Sequence, residues 1–202
     1  MTLDFLLSEE ELERLSATRR EIHRFPELGF QEVRTSNLVF ERLSQLGLEP
    51  ERVVETGVIA LLDSGVPGPT VMLRADMDAL PLQEENEHGY RSQNDGCMHA
   101  CGHDGHTSIL LMVAEKLVSV RLQLKGRILL VFQPAEEGEG GAQAMIDSGL
   151  LERFSPKCAA GLHLWSESPT GEVHICDGPF MASTDLFEVI VQGDGGHGAV
   201  PH

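Results

Sequence analysis

No stretch of this chain comes near the roughly 18 consecutive apolar residues that a membrane-spanning helix needs. The first residues, MTLDFLLSEEELERL, place no basic segment ahead of an apolar one and turn acidic at once, unlike a secretion signal. A cytoplasmic location is the expectation that follows. Basic side chains are scarce too: 15 Lys and Arg stand against 32 Asp and Glu, a formal net charge of −17. Nucleic-acid binding, which relies on a basic footprint, is therefore not expected. Excess acid is ordinarily a solvated surface, and a bound pair of divalent cations would offset part of it. Internal repeats and low-complexity tracts are missing. The four cysteines, Cys97, Cys101, Cys158 and Cys176, do not make two paired Cys-x-x-Cys arms. Without an export signal they are not expected to form disulfides, and a Cys beside several His reads as a metal ligand.

What is present is a chain of 202 residues, 41% hydrophobic and 23% charged, ordinary for a globular protein of one domain or one domain and the start of another. Ser8-Glu9-Glu10-Glu11 has the form of a capping box, and the helix it opens runs to about Phe25, where Pro26 stops it. A second helix fits residues 32–46, with Leu38, Val39, Leu43 and Leu46 on one face and Gly47 after its end. Residues 58–62, 71–73, 128–132 and 159–162 are short apolar runs that read as strands. Residues 106–120 read as a buried helix and 140–148 as a further one, while 172–176 and 185–192 alternate like half-exposed strands. Helices alternating with continuous apolar strands predict an α/β domain with a largely parallel sheet flanked by helices.

In such sheets ligands bind outside the carboxyl ends of the strands. Asp76 and Asp78 follow one predicted strand, Gln133 to Glu137 a second, and His163 closes a third. The densest cluster is Cys97-Met98-His99-Ala100-Cys101-Gly102-His103-Asp104-Gly105-His106, where thiolate and imidazole suit zinc or a neighbouring first-row metal. A structural Cys/His zinc knot is the competing reading, and the missing Cys-x-x-Cys arms count against it. His99 and His106 are expected to support ligands or cap the helix. Of the adjacent Glu136 and Glu137, one can hold a metal while the other serves as general base; a solvated acidic turn is the alternative. Asp76 and Asp78 could bind metal, orient an imidazole or cap a loop. His163 alone would read as a core histidine, but its place at a strand end favours the site. His23 is expected to support packing beside the site.

The segments RREIHRFPELGFQE (19–32), LRADMDALP (73–81), MHACGHDGHTS (98–108), FQPAEEGEGGA (132–142), GLHLW (161–165) and GGHGAVPH (195–202) follow one another in an order and spacing that resemble the M20 metallopeptidase superfamily. The branch they resemble holds the aminoacylases, hippurate hydrolases and auxin-conjugate hydrolases. The resemblance implies a three-layer, zinc-peptidase-like catalytic domain over residues 1–184 and the first strands of an α+β lid or dimerisation domain over 185–202. It implies two divalent metal ions, with Zn, Mn, Co and Ni all compatible. Cys101 would be the bridging ligand and His103, Glu137 and His163 the others. Glu136 would be the base that deprotonates the bridging water and later protonates the leaving amine. Asp78 falls where related peptidases place an Asp that orients a ligand imidazole, and Asp76 on that imidazole's own position. His197 matches a lid histidine that helps stabilise the tetrahedral intermediate, often across a dimer. The implied reaction is hydrolysis of an N-acyl amino acid or short peptide, with homodimerisation through the lid. Family members are about twice this length, and their returning segment carries one more ligand His. A metal-binding fragment without turnover and a structural-zinc protein are the alternatives.

Overall fold

A computed structural model describes residues 6–183, 185 and 187–200. The chain divides into two compact units, Met1–Trp165 and Ser166–His202. Among the described residues, the first holds every α-helix and strand: α1 (Glu9–Arg24), α2 (Val33–Gln45), β1 (Glu51–Val53), β2 (Gly57–Asp63), β3 (Thr70–Asp76), α3 (His103–Ser119), β4 (Arg127–Gln133), α4 (Gly141–Asp147), α5 (Leu150–Phe154) and β5 (Cys158–Gly161).

Helix α1 begins where the capping box predicts. Ser8 Oγ accepts the Glu11 N–H, and the Glu11 carboxylate accepts the Ser8 N–H in return. Helix α3 begins three residues before the predicted start, with Gly102 ahead of it at φ 97°. Its first turn is therefore His103-Asp104-Gly105-His106, four buried residues with no apolar periodicity to reveal them as helix. Only a residue free of a Cβ takes up the left-handed conformation at Gly102 without strain.

The five strands form one sheet in the order β1-β2-β4-β3-β5. It is mixed: β3 pairs in parallel with β4 and β5, whereas β2 runs antiparallel to both β1 and β4. The apolar runs that argued for parallel pairing are equally explained by burial of both sheet faces. Alternate residues of β2 and β4 point to opposite sides, as the pleat requires. Val58, Ala60, Leu62, Leu130 and Phe132 meet α2 and α3 through Val39, Leu43, Leu110, Leu111 and Ala114. Ile59, Leu129 and Val131 meet α4 and α5 through Met145, Leu150 and Phe154. Helices on both faces give the expected three layers. No helix among the described residues is long and apolar enough to cross a membrane.

The second unit departs from the sequence reading. Segments 172–176 and 185–192 form no strand among the described residues, and the unit's regular pairing there is one isolated bridge, His197 to Val200. An alternating segment becomes a strand only when a neighbour satisfies its backbone N–H and C=O groups, and the described residues of these segments are exposed and in no ladder.

Leu130 is fully buried on β4 within the larger core. Leu130→Ala is expected to destabilise the fold by about 2–5 kcal/mol, read as a lower urea midpoint with an unchanged slope.

Candidate metal centre

Because β3, β4 and β5 are parallel, their carboxyl ends lie at one edge of the sheet. Asp76 ends β3, Asp78 follows it, Glu136 and Glu137 follow β4, and His163 follows β5. The Gly102 turn and the first turn of α3 bring Cys101, His103 and His106 to the same edge.

His103 is the centre of the arrangement. It has no solvent exposure, and its Nε2 has no hydrogen-bond partner. That nitrogen lies 3.7 Å from Glu137 Oε1, 3.8 Å from Glu136 Oε2 and 3.7 Å from Asp76 Oδ2. Cys101 Sγ is 3.3 Å from His163 Nε2. Donor atoms of Cys101, His103 and His163 lie within 4.8 Å of one another, as do those of His103, Glu136 and Glu137. Tetrahedral bonds of about 2.0–2.3 Å set neighbouring donors about 3.3–3.8 Å apart, the spacing found here. A buried, unpartnered imidazole nitrogen among carboxylates, with a thiol and a second imidazole alongside, fits divalent metal ions. The His103 nitrogen can serve one ion only, and the five donors around it are more than one tetrahedral ion takes.

A second ring of contacts holds these donors. Asp78 Oδ1 stands 3.3 Å from His103 Nδ1, and its Oδ2 accepts the Glu137 N–H at 2.9 Å, so one carboxylate addresses two predicted ligands. His106 donates from Nδ1 to Asp76 at 2.6 Å and accepts the Leu164 N–H on Nε2 at 2.9 Å. It thereby fixes the backbone beside His163. Burial pushes the Asp76 carboxyl up, but the His106 hydrogen bond and the charges of His103 and Arg74 outweigh it and hold the group at about 2. His99 is buried with neither ring nitrogen hydrogen-bonded, and burial pushes it down to about 4, which keeps it neutral.

Sequence reasoning missed Glu32. Its buried carboxylate accepts the Ala135 N–H at 2.8 Å and the Thr56 hydroxyl at 2.5 Å. Ala135 sits at φ 50°, a left-handed conformation unusual for alanine, directly before Glu136 and Glu137. Gly141 closes the same turn, donating its N–H to Ala135 O, and a Cβ there would strike the Pro134 carbonyl oxygen. An acid ahead of an amphipathic helix reads locally as a helix-end charge, and nothing adjacent in sequence marks Glu32 as buried.

Among the predicted site residues, Cys101, His103, Glu136, Glu137, His163, Asp76 and Asp78 come together. His197 lies in the second unit, where its Nδ1 accepts the Ala199 N–H at 3.2 Å.

Fold and site define a metal-binding α/β domain, and comparison with known proteins specifies it further. A sequence profile of peptidase family M20/M25/M40 matches residues 72–195. The chain is 44% identical to an N-acyl-L-amino acid amidohydrolase of Geobacillus stearothermophilus, over 97% of this chain and 55% of that protein. It is 45% identical to a hippurate hydrolase of Campylobacter jejuni, over 91% of this chain and 48% of that protein. The Bacillus subtilis YXEP protein, a dinuclear metal-binding peptidase of the M20 family, superposes with a TM-score of 0.78 at 38% identity, covering 82% of this chain and 46% of that one. The chain belongs to peptidase family M20/M25/M40, and it spans about half the length of the curated relatives it matches.

Burial, the hydrogen bond to Glu137 and the charges of Glu137, Glu136 and Asp76 push the Cys101 thiol up to about 12. The metal-free thiol is thus protonated, and coordination must release its proton. Zn²⁺ affinity is expected to rise about tenfold from Cys101 alone between about pH 7 and about pH 8. Competition titrations at the two pH values check this, and Cys101→Ala should lose that part of the slope.

Proposed function

We propose that this chain supplies the metal-binding part of an amidohydrolase that cleaves the amide bond of N-acyl amino acids, of the hippurate, N-acetyl or auxin-conjugate kind. The observation that carries the reading is Glu136 beside Glu137 at one buried imidazole. One carboxylate can serve as a ligand while its neighbour stays free to handle a proton. Cys101, His103, Glu137 and His163 are the assigned ligands. When bound, the metal pair supplies Lewis acidity to the scissile carbonyl and eases deprotonation of water. Zn, Mn, Co and Ni all suit this mixed set of donors.

Glu136 is suited to the base role by exposure and by charge. Its side chain is 40% exposed, so substrate can reach it. Burial and the adjacent Glu137 charge push its carboxyl up from the ordinary range, nearer the value that serves proton transfer at neutral pH. It takes a proton from the attacking water as the C–O bond forms and passes it to the amide nitrogen as the C–N bond breaks. The products are a carboxylate and a free amino acid. Asp78 keeps the His103 ring and the Glu137 backbone in place during these steps, acting as a positioning residue.

The segment from residue 185 is assigned to the start of a lid or dimerisation domain. His197 is its candidate for stabilising the tetrahedral intermediate, in a cytoplasmic homodimer. The family resemblance implies one further ligand His, a role to which none of these 202 residues is assigned.

Glu136→Gln is expected to lower kcat for hippurate or an N-acetyl amino acid by about 10²- to 10⁴-fold, with metal stoichiometry and KM little changed. Activity within a few-fold of wild type would remove Glu136 from the base role. Two bound metals without turnover in the unsubstituted protein would favour a non-catalytic metal-binding chain, and one tightly held zinc with unfolding on chelation would favour a structural site.

A further inference from the structure

A second group of donors lies outside the centre just described. His23, near the end of α1, places Nε2 3.2 Å from Glu84 Oε1, and His88 places its own Nε2 3.1 Å from the same oxygen. The three donor atoms all lie within 4.8 Å of one another. Glu84 and His88 belong to the segment between β3 and α3, so the cluster joins two distant parts of the chain.

Proton placement makes the cluster unusual. Asp104 Oδ2 faces His23 Nδ1 at 2.9 Å and also accepts from Arg19 Nε at 3.0 Å. A carboxylate only accepts, so Nδ1 of His23 carries the hydrogen. In a neutral imidazole the Nε2 lone pair then points at a carboxylate oxygen 3.2 Å away, an arrangement that needs a positive charge between the two or a second proton on the ring. Glu84 Oε1 is already crowded, with Asn86 Nδ2 at 3.2 Å beside the two imidazoles, and the His88 Nδ1 is buried without a partner.

The same geometry is that of a ligand set. Donors on a cation with bonds of about 2.0 Å stand about 3.3 Å apart, close to both spacings measured here. The His23 and His88 rings meet at 61° with centroids 5.5 Å apart, and both Nε2 atoms approach the same Glu84 oxygen. The supporting contacts of a ligand site are also in place. Asp104 on Nδ1 of His23 is the carboxylate–histidine pairing that fixes a ligand tautomer, and Ser92 N–H holds Glu84 Oε2 at 2.6 Å. Tyr90 stacks on His88 at 3.8 Å. His88 is 31% exposed, which leaves a route for entry and a fourth position for water.

We propose that His23, Glu84 and His88 form a separate site for one divalent cation of the imidazole-seeking class, Zn²⁺ or Co²⁺, without a sulfur ligand. The ion would pin the loop carrying Glu84 and His88 to α1. Through Asp104 it would also pin that loop to the first turn of α3, beside His103. The site does not rest on the proposed hydrolysis.

Absence of sulfur gives the test. Co²⁺ bound at Cys101 shows a thiolate-to-metal charge-transfer band, whereas Co²⁺ on two imidazoles and a carboxylate does not. The full chain is titrated with Co²⁺ while bound metal is counted by equilibrium dialysis and the thiolate band is followed in parallel. His88→Ala and His88→Gln should each bind one Co²⁺ fewer per chain than wild type at the same free concentration, with the thiolate band at full intensity. Cys101→Ala should lose the band and keep the ion that the His88 variants lose. Equal metal counts in wild type and both His88 variants would overturn the site and leave a doubly protonated His23 as the occupant of the charge gap. Far-UV circular dichroism of the two variants confirms that the comparison is between folded proteins.

Discussion

Carboxylates held close together repel unless a cation lies among them, and the edge of this sheet gathers four around one imidazole. Asp76, Asp78, Glu136 and Glu137 all place an oxygen within 3.8 Å of a His103 nitrogen, and His103 is sealed from water. Burial opposes a charge on this imidazole, but the Asp78 carboxylate and the charges of Asp76 and Glu137 outweigh it and raise the proton affinity. A proton on His103 can balance one acid, and a divalent ion balances two. The same surroundings push the Cys101 thiol far up, so that thiol keeps its proton until a metal displaces it.

Such a gathering persists only because the scaffold fixes it. Parallel pairing aligns three strand ends, and the α3 helix is launched from Gly102 so that its first turn is spent on site residues and not on core contacts. The turn after β4 is held in a left-handed conformation at Ala135 by the buried Glu32 and by the close passage of Gly141. Burial pushes the Glu32 carboxyl up despite the hydrogen bonds from Thr56 and Ala135. A buried acid of this kind is tolerated where its hydrogen bonds are made, and here they position the two glutamates that follow.

Much of the scaffold was legible in local sequence because local rules decide it. The capping box at Ser8, the proline stop at Pro26, the apolar face of α2 and the continuous apolar runs of β2, β3 and β4 each carry their own signal. Strand pairing does not. Burial on both faces produces the same apolar run in parallel and antiparallel neighbours, so the antiparallel β1-β2-β4 edge was not distinguishable from a parallel one. Among the described residues, 172–176 and 185–192 are not strands, for the related reason that alternation describes a strand only where a neighbour exists.

Sequence by itself determined which chemistry was possible: a thiol, imidazoles and paired acids at the ends of predicted strands, in an order that resembles the M20 family. Those are properties of residue type and position along the chain. Tertiary structure alone decided which of those groups meet and which support them. Glu32 reaches Ala135 across 103 positions, His106 reaches Leu164 across 58, and His23 stands between Asp104 and Glu84 at separations of 81 and 61. Contacts of that range are set by the packing of helices on a sheet, for which no local pattern of residues carries a signal.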